Sequence, residues 1–344
     1  MITTFTLVVI VIVLAIMFDF LNGFHDAANA IATVVVSKTL TPFQAVMLAG
    51  CADFVGYFLF GTAVAKMVGT GVIESSILKP GSQGFDAGLG LHLLLGALVG
   101  AIIWNIITWL LGLPTSSSHA LIGGLIGSGL VAVGTKIVIW SGVIKIFSFI
   151  IIAPLLGMLG ATIFTMSILW MFRKTDHKKS ASIFRKLQLI SAACYGIGHG
   201  TNDSQKTMGI IALVLFAGGI NKEFTLNNWI ILTCYSALAL GTICGGWRIV
   251  KTMGTSITKI HATEGFCAET AAAVVLLGTQ HFGIPVSTTH VIAGSIMGVG
   301  STQRAPVRWI TARKIVWAWI ITIPASATFA AIAYYIFSHI LIVK

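Results

Sequence analysis

Charge is what this chain has least of. Aspartate, glutamate, lysine and arginine make up 9% of its 344 residues, while 56% are hydrophobic. A water-soluble domain carries roughly 25% charged residues, because its surface has to be solvated. So sparse a set cannot cover a water-facing surface, so most of this surface faces lipid and no room is left for a separate soluble domain. Cysteine is scarce too: the five (Cys51, Cys194, Cys234, Cys244, Cys267) sit in apolar runs without paired spacing. They read as packing residues, not as a disulfide or metal framework. The net charge of +11 falls in short segments between apolar runs, as membrane topology requires, so no nucleic-acid partner is implied. Residues 6–20 lack a preceding basic residue and a following cleavage site, so they read as a first membrane helix and not a signal peptide.

What the chain does have is apolar length, enough for about ten spanning helices at ~20 residues each. The runs predict spans near 5–23, 42–64, 88–112, 118–134, 146–172, 188–218, 228–248, 264–282, 286–300 and 315–342. The fold class expected is an all-α polytopic membrane protein. A basic stretch, residues 173–187, separates 1–172 from 188–344 and is expected to be a cytoplasmic loop. Fourteen of the 21 basic residues fall on that same side of the map, which puts both termini outside by the positive-inside bias.

The two halves echo each other. Pro114-Thr115-Ser116-Ser117-Ser118-His119 returns as Pro285-Val286-Ser287-Thr288-Thr289-His290, and each leads into a glycine-rich apolar run. Phe24-His25-Asp26-Ala27-Ala28-Asn29 has its counterpart in Gly200-Thr201-Asn202-Asp203-Ser204-Gln205-Lys206, 82 residues before Pro285 where the first lies 88 before Pro114. Lys66-Met67-Val68-Gly69-Thr70 resembles Lys251-Thr252-Met253-Gly254-Thr255. An odd number of crossings per copy turns the second copy upside down, so residues 1–172 and 188–344 are expected to be inverted-topology repeats.

Acids at membrane depth are expensive and tend to mark an ion pathway. Asp26 is expected just after the first apolar helix, and Asp203 inside the sixth. Asn22 and Asn29 lie near the first acid, Asn202 and Gln205 near the second. Carboxylate and amide oxygens suit a hard cation such as sodium, and would equally accept a proton. Asp53 and Glu269 are further acids in apolar segments, each a coupling residue or a partner for a buried base. The Pro-x-Ser-x-x-His stretches have the opposite chemistry. Hydroxyls after a proline mark helix N-termini, whose free N–H groups attract anions. Thr115, Ser116, Ser117, Ser287, Thr288 and Thr289 are therefore candidate oxyanion ligands, although ordinary capping needs the same residue types. His119 and His290 are expected to hold these hairpins by hydrogen bonding, and His199 to donate to Asp203. Aligning the acids sets Lys206 opposite Asn29, a fixed positive charge that favours an oxyanion and disfavours a second sodium beside it.

On these four motifs the chain resembles the PiT family of inorganic phosphate transporters over essentially its whole length. The resemblance implies about twelve helices, counting broken helices and Ser/Thr-rich helical hairpins separately. It implies phosphate bound between the halves by the hairpin hydroxyls and by Asn202 and Lys206 of the second acidic motif, no cofactor, no enzymatic activity and cation-coupled uptake, with Asp26, Asn29, Asn202, Asp203, Ser116 and Ser287 at family site positions. His25 stands where the family usually has Asn, and Lys206 where sodium-coupled members have Asn. Both departures favour a bacterial low-affinity member in the inner membrane that uses protons, with phosphate moving free or as a neutral divalent-metal complex. The remaining alternatives are a sodium-coupled phosphate symporter and a sulfate permease of the same family. The glycine-rich lipid-facing helices suggest a homodimer in the bilayer.

Overall fold

A computed structural model describes residues 3–59, 61–79, 88–302 and 307–341. Twelve α-helices make up the described chain: α1 Thr4–Val36, α2 Pro42–Leu59, α3 Ala63–Thr70, α4 Leu89–Leu111, α5 Ser117–Ala132 and α6 Trp140–Met171. The second half continues with α7 His177–Ala217, α8 Asn228–Cys244, α9 Trp247–Lys251, α10 Ala262–His281, α11 Thr288–Ser301 and α12 Trp309–Ile340. The one β pairing among the described residues is an isolated bridge, Ile73 to Val138. The protein is all-α.

Ten of these helices fall on the ten apolar runs of the sequence. Two short ones, α3 and α9, have no apolar run of their own, and they sit on the Lys66 and Lys251 stretches that echo each other. Length and composition qualify α1, α2, α4, α6 and α12 as membrane spans, and α8 with the segment after it as a sixth, bent by 61°. Helices α5 and α11 depart from the expectation that they span. At 16 and 14 residues they reach about 24 and 21 Å, short of the ~30 Å hydrocarbon core. Each instead forms the return arm of a hairpin whose turn begins with a left-handed glycine, Gly112 (φ 65°) or Gly283 (φ 62°). Two further expectations are corrected. Asp26 does not follow the first helix but lies well inside it, because α1 runs on to Val36. The basic stretch is loop over 173–176 only; Asp176 then caps α7, its carboxylate accepting from the backbone N–H groups of Lys178 and Lys179.

The apolar core divides in two. One cluster joins Leu7, Val11 and Phe18 of α1 to Met208, Leu213 and Val214 of α7. The other joins Ile31 and Val34 of α1 to Phe184 and Tyr195 of α7. The start of α1 thus meets the end of α7 and the reverse, so the two helices run antiparallel. Between the clusters lies a polar waist, and both motif acids are in it.

Each hairpin arm packs on the last helix of the other half, α5 on α12 and α11 on α6. Both of those last helices are 32 residues long with one internal proline, Pro154 or Pro324. Glycine makes the approach possible. A Cβ on Gly127 would lie 2.1 Å from the Ala327 carbonyl oxygen, and one on Gly298 2.2 Å from that of Met158.

Candidate functional site

Helix α1 carries Asp19, Asn22, Asp26, Asn29 and Thr33 at alternating spacings of three and four, which puts them on one face. Helix α7 carries a like stripe, Gln188, Ser191, Tyr195, His199, Asp203 and Lys206, each three or four residues from the next. Every one of these side chains is buried. The two stripes meet at the waist, where the hairpin tips close over them.

The tips are helix N-termini. Ser116 caps α5 by accepting the His119 N–H at 3.2 Å, and Ser287 caps α11 by accepting the His290 N–H at 3.2 Å. Capping uses these two hydroxyls as acceptors and leaves each O–H free to donate, while the neighbouring hydroxyls reach the acids. Ser117 donates to Asp26 Oδ2 at 3.1 Å and also to Asn22. Thr288 makes the matching bond to Asp203 Oδ2 at 3.2 Å. The next pair crosses between halves: Asn29 donates to Thr289 at 2.8 Å, and Lys206 donates to Ser118. Lys206 Nζ also lies 2.5 Å from Asp203 Oδ1 and 3.1 Å from the Val286 carbonyl. Thr289 in turn donates to the Thr115 carbonyl, joining the tips directly, while the Thr115 hydroxyl is buried without a partner.

Asp26, His199 and Asp203 each offer a ligand atom, all within 4.8 Å of one another, a set able to hold a cation. Asn202 contributes differently from expectation. Its Nδ2 donates to the backbone carbonyls of Gly198 and Leu276, and its Oδ1 is buried with no partner. The free atom is an acceptor, suited to a cation and not to an oxyanion. Gln205 is turned away from Asp203: its Oε1 caps α3 through the Val64 and Ala65 N–H groups.

The other two expected acids are placed apart. Asp53 partners a base, with His199 Nδ1 at 2.8 Å and the Thr242 hydroxyl at 2.6 Å. His199 Nε2 lies 3.4 Å from Asp203 Oδ2 but makes no hydrogen bond, so the donation to Asp203 expected from the sequence is not made. Glu269 has no base; it accepts from Thr33 and Ser191, both at 2.5 Å, and from Gln188 at 3.1 Å. His119 and His290 do not hold the hairpins by side-chain hydrogen bonds as expected. His119 Nδ1 and both His290 ring nitrogens have no partner. The rings pack on one another instead, His119 edge-on to His290 with centroids at 4.8 Å, and His290 stacked on Trp319 at 3.9 Å. The Trp319 indole N–H donates to the Pro114 carbonyl at 3.0 Å. Sequence reasoning misses Trp319 and Asp19; the polar stripe on α1 is the signal for Asp19, and Trp319 has none.

Fold and site together define a multi-pass helical membrane protein with a buried charged site shared by two similar halves. A model of the phosphate transporter family matches residues 22–330. A probable low-affinity inorganic phosphate transporter of Rhizobium meliloti (strain 1021) is 46% identical, over 96% of each chain. Another, from Bacillus subtilis (strain 168), is 40% identical over 97% of this chain and 98% of its own. The solved structure of a sodium-dependent phosphate transporter shares the fold, with TM-score 0.85, 24% identity and coverage of 98% of this chain and 100% of that one. The chain belongs to the phosphate transporter family.

Proposed function

We propose that the protein takes up inorganic phosphate by alternating access, coupled to a cation, with the proton favoured. The observation that carries this reading is the position of Lys206. Its ammonium, 2% exposed as a residue, is held between Asp203 and the two hairpin tips, where helix N-termini already favour an anion. In the empty site Asp203 neutralises it. An arriving phosphate competes with Asp203 for Lys206 and Thr288 and with Asp26 for Ser117, and the hydroxyls of Thr115, Ser116, Ser118, Ser287 and Thr289 are further donors to it. The carboxylates of Asp26 and Asp203 then take the coupling cation, so that the loaded site reorients near neutrality; an uncompensated buried charge would oppose closure.

The antiparallel run of α1 and α7 and the exchange of hairpin arms support residues 1–172 and 188–344 as inverted repeats, with both termini outside and the 173–176 turn cytoplasmic. With α4–α5 and α10–α11 each taken to enter and leave on one side, although α4 is long enough to span, two crossings drop out of each half and its parity stays odd. Sodium coupling is the second reading, favoured by the Asp26, His199 and Asp203 set, the free Asn202 oxygen and the sodium dependence of the solved relative. The same set would hold a divalent ion travelling with phosphate.

Labelled phosphate and sulfate uptake into proteoliposomes, with proton and sodium gradients imposed separately, tests the reading. Phosphate accumulation driven by the proton gradient is expected. Sulfate uptake that phosphate does not compete would overturn the substrate, and accumulation under a sodium gradient alone would overturn the proton.

A further inference from the structure

Five acids are buried among the described residues, and four of them are well partnered. Asp26 has His25 Nδ1 at 2.7 Å, Asp53 has His199 and Thr242, Asp203 has Lys206, and Glu269 has three donors. Asp19 is different. It is fully buried, its Oδ1 accepts from the Thr207 hydroxyl at 2.9 Å, and its Oδ2 has no partner. The Cys234 thiol of α8, a weak donor, is its other hydrogen-bonding neighbour. Ser204, one turn before Thr207 on the same face of α7, is also fully buried with its hydroxyl unpartnered.

A carboxylate whose only other donor is a thiol still lacks a positive partner in a membrane interior. The charged groups that act on it are Asp203 and Lys206 from α7, and that pair is satisfied within itself. Cys234 and Tyr235 are the titratable groups of α8 beside it. From α2, Asp53 is held by His199; from α4, His92 bonds the Leu341 carbonyl. Hard metal cations gather about six oxygen ligands, and thiols are soft. Asp19, Thr207, Ser204 and Cys234 fall short of such a shell, whereas a proton on Oδ2 needs none.

We propose that the coupling proton enters and leaves through Asp19, which shares it with the central carboxylates Asp26 and Asp203 and has Thr207 as its fixed hydrogen-bond partner. Hydronium on one side of the membrane gives its proton to Oδ2 and leaves as water; on the other side water takes the proton back. Thr207 follows Lys206 directly on α7, so the helix that carries the phosphate-facing ammonium also carries the partner of Asp19. This rests on the reading of the central site as a phosphate site.

The test uses the full chain in proteoliposomes and two assays: exchange of labelled for unlabelled phosphate without a gradient, and accumulation under a pH gradient or, separately, a sodium gradient. In Asp19→Asn the ratio of pH-driven accumulation to exchange is expected to fall at least tenfold, while Asp19→Glu stays within threefold of wild type. An unchanged ratio in Asp19→Asn overturns the proposal, as does wild-type accumulation that follows sodium and not protons. Wild type without phosphate exchange overturns the reading of the central site, and this proposal with it. If Asp19→Asn does not fold, Thr207→Val decides. It is expected to move the pH of half-maximal uptake by more than half a unit, and an unmoved midpoint overturns the proposal.

Discussion

Asn29 donates to Thr289 across 2.8 Å, and that bond ties the first helix of one half to the hairpin tip of the other. Lys206 makes the reciprocal tie to Ser118. The links occupy matching positions in the two halves and differ by one charge. The neutral link serves geometry alone; the charged one also sets what the site attracts.

Lys206→Asn makes the links alike. It removes the ammonium facing the anion and strips Asp203 of its ion-pair partner. The phosphate KM is expected to rise at least tenfold, about 1.4 kcal/mol of binding, and sodium to begin to stimulate uptake. Labelled phosphate uptake in proteoliposomes with and without sodium measures both.

Ser117→Ala and Thr288→Val delete the hydroxyls that reach Asp26 and Asp203. A hydrogen bond to a charged group is worth roughly 1.5–3 kcal/mol, so each variant is expected to raise KM by about tenfold or more. Ser116→Ala and Ser287→Ala lose the N-caps instead, which costs about 1 kcal/mol of stability each. Uptake kinetics beside thermal unfolding in detergent separates the two effects.

Gly127→Val and Gly298→Val insert side chains where a Cβ already meets a carbonyl oxygen at 2.1 and 2.2 Å. Overpacking of this kind costs typically about 1–3 kcal/mol, and here it forces α5 from α12 or α11 from α6. A lowered thermal midpoint for both, with similar size, is the expected outcome.

Glu269→Ala leaves the donors of Thr33, Gln188 and Ser191 without their shared acceptor. An unsatisfied buried donor costs about 1–3 kcal/mol, so this variant is expected to be much less stable than Glu269→Gln, which keeps one acceptor oxygen. Thermal unfolding of the purified variants compares them.

Much of this arrangement is legible in the sequence. Ten helices follow from apolar runs, and the hairpin tips follow from proline and hydroxyls ahead of glycine-rich stretches. What escapes it depends on partners distant in the chain. Gln205 looks like company for Asp203 until α3, a helix too short to show as an apolar run, takes its oxygen. Asn202 reads as an anion ligand, yet the carbonyls of Gly198 and Leu276 take its donors. The end of α1 falls too early in the sequence pattern because polar residues after Phe20 suggest a boundary. They are buried by α7 and the hairpins, so the helix has no reason to stop. Trp319 lies among apolar residues of α12, and nothing local marks it as the ring beneath His290.

The division of the apolar core has a mechanical meaning. Two separately packed bodies can rock as rigid shells, because each keeps its own close packing while it moves. Helices α1, α7 and α12 contribute to both bodies, and under the proposed alternating access what must be remade is the short polar seam between them. That seam holds hydrogen bonds and ion pairs, which can be exchanged for contacts with a bound solute, whereas interlocked side chains cannot. On the proposed reading the central site is thus also the fulcrum, and whatever occupies it decides whether the shells can turn.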